Sequence, residues 1–180
     1  MTAAPHDEAL SARVGALLRD VPDFPTPGIL FKDFTPLLAD AGALAALVDD
    51  IAARYAGRVD AVAGIEARGF VLGAAVAYRL GLGFVPVRKA GKLPPETHAV
   101  SYALEYGEAT LEVATSSFAP DQRVLVVDDV LATGGTAAAA CTLVERTGAV
   151  VVAVDVVLEI GFLGGRTVLA GREVNALLTS

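Results

Sequence analysis

Four apolar residues in succession, Val124-Leu125-Val126-Val127, run directly into Asp128-Asp129, and Thr133-Gly134-Gly135-Thr136 follows a few residues on. An unbroken apolar run of this kind is the mark of a strand in a parallel sheet covered on both faces. Asp128 to Thr136 reads as a loop, and Ala137 to Thr147 as a helix ended by Gly148. Val150 to Leu158, interrupted by Asp155, reads as the next strand. A similar unit precedes it. Asp60 to Ile65 is a short buried strand, Glu66 to Gly69 a turn, and Phe70 to Leu80 a helix broken by Gly81-Leu82-Gly83. Phe84 to Val87 is the following strand. Two β-α-β units predict an α/β fold: a mostly parallel twisted sheet flanked by helices, in one domain spanning residues 1–180.

The flanks are less regular. Leu10, Val14, Leu17 and Leu18 share one face of a helix that stops before Asp20. Pro22, Pro25 and Pro27 then exclude a helix and argue against a central strand, leaving a shaped loop that leads into residues 29–33. Leu44, Leu47, Val48, Ile51 and Tyr55 form the stripe of a second helix over about 40–56. Residues 88–107 are polar and without a clear period, with Pro94-Pro95 inside them, and a loop of that length is expected to be functional or mobile. Thr110 to Val113 closes it as a short strand, and the tail from Gly161 to Ser180 is weakly patterned.

Charge narrows the function. Lys and Arg number 14 against 21 Asp and Glu, a net charge of -7, which argues against a broad surface for nucleic acid. A single cysteine, Cys141, cannot form an intrachain disulfide or a cysteine-rich zinc site and reads as a small buried group. The first residues lack the basic region and apolar core of a secretory leader. The apolar stretch from Phe70 to Val87 contains Arg79, Pro86 and three glycines, so it is not read as a membrane span. The expectation is a cytoplasmic protein with no membrane and no nucleic-acid partner.

The Thr133-to-Thr136 turn sits where an open α/β sheet binds ligands, between a strand end and a helix start. Its glycines let backbone N–H groups approach an anion, and the helix N-terminus adds unsatisfied donors and partial positive charge. This is a cradle for one phosphate. It lacks the Gly-Lys-Ser/Thr ending of a Walker A loop and is not a G-x-G-x-x-G fingerprint. Asp128 and Asp129 beside it suit a ligand that presents hydroxyls near its phosphate, or a bridging Mg²⁺, and a ribose 5-phosphate presents such hydroxyls. The plain alternative is that Asp128 caps the loop and Asp129 is solvated.

Val124 to Thr136 resembles the signature of the type I phosphoribosyltransferases, which bind 5-phosphoribosyl 1-diphosphate (PRPP). Pro22-Asp23-Phe24-Pro25-Thr26-Pro27-Gly28-Ile29-Leu30-Phe31-Lys32-Asp33 resembles the adenine phosphoribosyltransferase family more narrowly. So do Gly64 to Phe70, Arg88 to Pro94 and Ser101 to Gly107, in the same order. The resemblance implies Mg²⁺-dependent transfer of the phosphoribosyl group from PRPP to N9 of adenine, giving AMP and pyrophosphate in purine salvage.

It also implies roles. Asp128 and Asp129 would contact the ribose hydroxyls, and Ala132, Thr133, Gly134, Gly135 and Thr136 would hold the 5-phosphate. Glu66, Ala67, Arg68 and Gly69 would form the pyrophosphate loop, with Arg88, Lys89 and Lys92 beside it. The plain alternative for Arg68 is an ion pair with Glu66. Leu30 and Lys32 would read the adenine edge through their backbone, with Phe31 and Val130 as walls of the base pocket. Glu105 would act at the base N7, and Arg68 and Glu105 are the expected catalytic pair; the plain alternative for Glu105 is an exposed loop acid. No residue would bind the metal directly, since Mg²⁺ is held mainly by PRPP. Residues of about 1–35 would form a base-binding hood, and about 89–107 a mobile loop over the site. In this family basic groups of the loop can come from the neighbouring subunit of a homodimer. The rival readings are a transferase for another base and a regulator that senses PRPP and binds nucleic acid.

Overall fold

The computed structural model describes residues 8–103 and 107–180. Its contacts cluster into two compact units, residues 1–50 and 51–180. In the first unit, α1 (Glu8–Leu17) buries Leu10 and Val14, two of the four positions of the expected stripe. β1 (Arg19–Pro22) and β2 (Leu30–Asp33) pair as an antiparallel hairpin, with Arg19 opposite Asp33 and Pro22 opposite Leu30. The prolines thus sit in and beside the hairpin loop, and no central strand is disturbed. α2 (Thr35–Ala39) follows at once, its Pro36 in the first turn where no N–H is needed. Asp33 receives the Thr35 N–H at 2.8 Å, and Asp40 receives the Ala43 N–H at 2.7 Å at the start of α3 (Ala41–Tyr55).

The second unit is built on seven strands. They are β3 (Ala61–Ile65), β4 (Gly83–Lys89), β5 (Thr97–Ala103), β6 (Glu108–Ala114), β7 (Arg123–Leu131), β8 (Val150–Glu159) and β9 (Glu173–Thr179). Their spatial order is β5-β6-β4-β3-β7-β8-β9. β4, β3, β7, β8 and β9 run parallel, and β6 and β5 add an antiparallel edge. The expected α/β class with a mostly parallel sheet is therefore what the chain forms. α4 (Arg68–Leu80) joins β3 to β4, and α5 (Gly135–Arg146) joins β7 to β8. A short helical turn (Gly161–Leu163) and α6 (Gly165–Val168) connect β8 to β9.

Period-two alternation assigns the two faces. Ala63, Val126 and Val154 join Leu143 and Val144 of α5 in one buried cluster. Gly64, of opposite parity, lies beneath α4: a Cβ there would come within 2.5 Å of the Gly69 carbonyl oxygen.

Three expectations change. Residues 97–103, read as part of an aperiodic loop, form β5 and pair with β6 from Thr97↔Ala114 to Ala103↔Glu108. The strand read as Val124–Val127 continues to Leu131, so the acidic pair lies within it. The weakly patterned tail supplies the edge strand β9. For β5 and β9, strand pairing supplied what local pattern lacked.

Candidate phosphoribosyl site

Two loops meet at the carboxyl edge of the sheet, after the adjacent parallel strands β3 and β7. From β3 the chain crosses through α4 to β4 on one side, and from β7 through α5 to β8 on the other. The loops after β3 and β7 diverge there, which opens a crevice at a topological switch point.

Each loop ends in a helix N-terminus without a side-chain cap. α5 starts from Gly134, in the left-handed conformation at φ 87°, and α4 starts from Ala67. Uncapped first-turn N–H groups are donors for an anion. The turn is also tightly packed: a Cβ on Gly135 would lie 3.3 Å from the Ala103 carbonyl oxygen and the Tyr102 ring. Asp128, Val130, Leu131, Ala132, Thr133, Gly134, Thr136 and Ala137 line a cavity of about 80 Å³. The cavity thus brings Val130 together with Ala132, Thr133, Gly134 and Thr136 of the turn.

The acidic pair is not the solvated feature of the plain alternative. Asp129 is only 5% exposed, and its carboxylate meets the Arg68 Nε at 2.6 Å. Asp128 Oδ1 accepts the Asp129 N–H at 2.9 Å. Burial first, then the Asp129 charge, push the Asp128 carboxyl well above the ordinary carboxylate range. Gly69 makes this closeness feasible, because a Cβ there would stand 2.7 Å from the Val127 carbonyl oxygen and 3.0 Å from Asp128 Oδ1.

Arg68 therefore pairs with Asp129, where its plain alternative has it on Glu66. Glu66 gathers a different set. It bonds the Lys92 ammonium, accepts the Lys89 N–H at 3.0 Å, and lies 3.5 Å from the Arg88 Nε. The Lys92 bond leads in holding the Glu66 carboxyl below its ordinary range. The Glu66–Ala67 peptide bond is cis. Arg88 also donates to the Lys92 carbonyl at 3.2 Å. Arg88 near the end of β4 and Lys92 just beyond it are thus brought to the β3 loop. Arg68 and Gly69 belong to the first turn of α4, two residues earlier than the expected helix start.

In the first unit, Leu30, Phe31 and Lys32 lie on β2. Leu30 is half exposed, and Phe31 stacks edge-on against Phe24 with centroids 5.1 Å apart. Lys32 meets Asp20 at 2.6 Å, so its ammonium already has a carboxylate partner. Glu105 lies outside the described residues. Cys141 is fully buried, with its thiol pushed up to about 11 by burial, which suits a packing role. His98 is half-buried on β5. Among the described residues, no group of three or more His, Cys, Asp or Glu is arranged to hold a metal ion.

Two uncapped helix starts at the switch point of the sheet, with a carboxylate pair between them, have the donors and acceptors that suit a phosphorylated sugar. Residues 36–161 match the phosphoribosyl transferase domain family. The chain is 60% identical over 173 residues to the adenine phosphoribosyltransferase of Salinispora arenicola (strain CNS-205), covering 95% of this chain and 92% of that one. The adenine phosphoribosyltransferase of Thermoanaerobacter pseudethanolicus superposes with a TM-score of 0.91 at 46% identity, over 94% of this chain and 99% of that one. The Saccharomyces cerevisiae enzyme, solved with D-2,5-dideoxy-2,5-imino-altritol 1,6-bisphosphate and adenine, superposes at 0.90 with 38% identity, over 95% and 99%. The chain belongs to the phosphoribosyl transferase family, within its adenine phosphoribosyltransferase branch.

Proposed function

We propose that this protein is an adenine phosphoribosyltransferase: it joins N9 of adenine to the anomeric carbon of PRPP, giving AMP and pyrophosphate. The observation that carries the reading is the pair of uncapped helix starts flanking Asp128-Asp129 at one strand switch, because PRPP presents a phosphate at each end of a dihydroxylated sugar.

The 5-phosphate sits on the Ala132-to-Thr136 turn. The ribose hydroxyls donate to Asp128 and Asp129. The diphosphate takes the start of α4, with Glu66, Ala67, Arg68 and Gly69 forming its loop and Arg88, Lys89 and Lys92 its basic wall. Arrival of the diphosphate draws Arg68 from Asp129 and the β4 cations from Glu66, which exchanges internal ion pairs for substrate contacts. Attack by N9 builds oxocarbenium character on the sugar and negative charge on the departing pyrophosphate. Fixed N–H groups and cations meet that charge without reorganising. Leu30 and Lys32 read adenine through their backbone, Phe31 and Val130 wall it, and Glu105 steadies the proton or tautomer at N7.

Mg²⁺ fits this site. The crowded Asp128-Asp129 pair, one carboxyl pressed to keep its proton, gains from a cation brought in by the diphosphate. When bound, the ion neutralises charge on the leaving pyrophosphate. The residues around 89–107 close over the site and exclude water that would hydrolyse PRPP. The enzyme works as a cytoplasmic homodimer. No helix among the described residues is long and apolar enough to cross a membrane.

The test is AMP formation from PRPP, Mg²⁺ and a panel of adenine, hypoxanthine, guanine, xanthine and orotate. Turnover with adenine alone is expected. Turnover with another base and not adenine overturns the substrate, and PRPP binding without turnover overturns the enzyme.

A further inference from the structure

The glycine-rich stretch between β8 and β9 touches the phosphate turn backbone to backbone. A Cβ on Gly134 would lie 2.5 Å from the Gly165 carbonyl oxygen and 3.0 Å from its Cα. A Cβ on Gly165 would run into the Ala132 carbonyl oxygen and come within 3.0 Å of the Gly134 nitrogen. With glycine on both sides, no side chain buffers the contact, so the place of the turn depends on what holds residue 165.

The next residue is locked. Arg166 Nη2 meets Glu159 Oε2 at 2.5 Å, and its Nε reaches both carboxylate oxygens at 3.1 Å. Its Nη1 donates to the Val174 carbonyl on β9 at 2.7 Å. Glu159 is 7% exposed and ends β8 directly opposite Leu131 of β7, the residue before the turn. The Ile160 N–H donates to the Leu131 carbonyl at 2.9 Å. Both sides of the glycine contact are thereby tied to the end of β8, residue 165 through Arg166 and Glu159 and the turn through Leu131.

We propose that the Glu159–Arg166 pair is a positioning element for the 5-phosphate turn: it seats Gly165 against Ala132 and Gly134 and so aims the amides of the turn. Arg166 keeps 49% of its side chain exposed, whereas the Glu159 side chain is only 10% exposed. A forked guanidinium–carboxylate pair of this kind fixes direction. The proposal rests on the reading of residues 132–136 as the 5-phosphate site.

Arg166→Ala in the full chain tests it. The KM for PRPP and the inhibition constant of ribose 5-phosphate should rise together, on the order of tenfold. Inhibition by pyrophosphate, the KM for adenine and kcat should stay within about twofold. Arg166→Lys should recover part of the loss. Unchanged ribose 5-phosphate inhibition, or a lowered kcat and melting temperature with KM intact, overturns the proposal. Glu159→Gln, which keeps size and removes charge, must give the same selective pattern if Arg166→Ala does not fold. Thr136→Val checks the underlying reading: if it too leaves ribose 5-phosphate inhibition unchanged, the phosphate assignment falls and the proposal with it. If Thr136→Val weakens that inhibition and Arg166→Ala does not, only the proposal falls.

Discussion

Asp128 carries opposing demands. Its carboxyl is crowded by burial and by Asp129, so the folded protein keeps a proton there that the unfolded chain releases near the ordinary carboxylate pKa. Above about pH 4 the unfolded state therefore binds fewer protons at this position, and stability falls as pH rises through the raised native pKa. Asp128→Asn should remove that slope and raise stability at pH 7 by about 1 kcal/mol, as expected where function has been favoured over stability. It should cost at least about tenfold in kcat/KM for PRPP, from the lost contact to the sugar. Urea midpoints at pH 4 and pH 7, beside steady-state kinetics, check both halves. The sequence marked Asp128 and Asp129 as site residues, because two carboxylates beside an anion-binding turn conflict unless a ligand resolves them. It did not reveal that Arg68 answers Asp129. That choice depends on α4 lying against β7, which Gly69 permits.

At the scale of elements, α3 ends on a buried polar knot. Asp155, 2% exposed in the middle of β8, accepts from Arg54 at 2.7 Å and from the Tyr55 hydroxyl at 2.9 Å. Asn175 of β9 donates to the same hydroxyl at 2.7 Å. Burial and the Asp155 charge push the Tyr55 hydroxyl far up, so it stays protonated and donates. Asp155→Ala takes away the carboxylate facing a largely buried guanidinium and should destabilise by about 3 kcal/mol or more. Tyr55→Phe should cost about 1 kcal/mol. Thermal or urea unfolding measures both, and the KM for PRPP should not move in the folded fraction. In the sequence, Asp155 showed only as an interruption in an apolar strand. Its partners are a hundred residues away in the chain, so no local pattern could name them.

For the whole molecule, the acid limb of stability comes from carboxylates with good partners. Thr35 leads in holding Asp33 at about 2, with Arg19 assisting, and Arg123 holds Asp60 at about 2 through a forked pair. Their native pKa values lie below those of the unfolded chain. Their contribution is present above about pH 4 and is lost as pH falls toward 2. Asp60→Asn should flatten the fall in urea midpoint between pH 4 and pH 2, and added salt should reduce the difference between variant and parent. An unchanged acid slope would show that this pair does not contribute.

The α/β class, both β-α-β units, the phosphate turn and the family were legible in the sequence, because each is written in contiguous residues. An apolar run, a glycine turn and a helical stripe are local patterns. The tertiary structure decided the rest: which cation answers which carboxylate at the site, the pairing of residues 97–103 and 173–179 into the sheet, and the seating of Gly165 against the turn. Strand register and counter-ion choice are set by contacts between residues far apart in the chain. Their energies exist only once the sheet has brought those residues together.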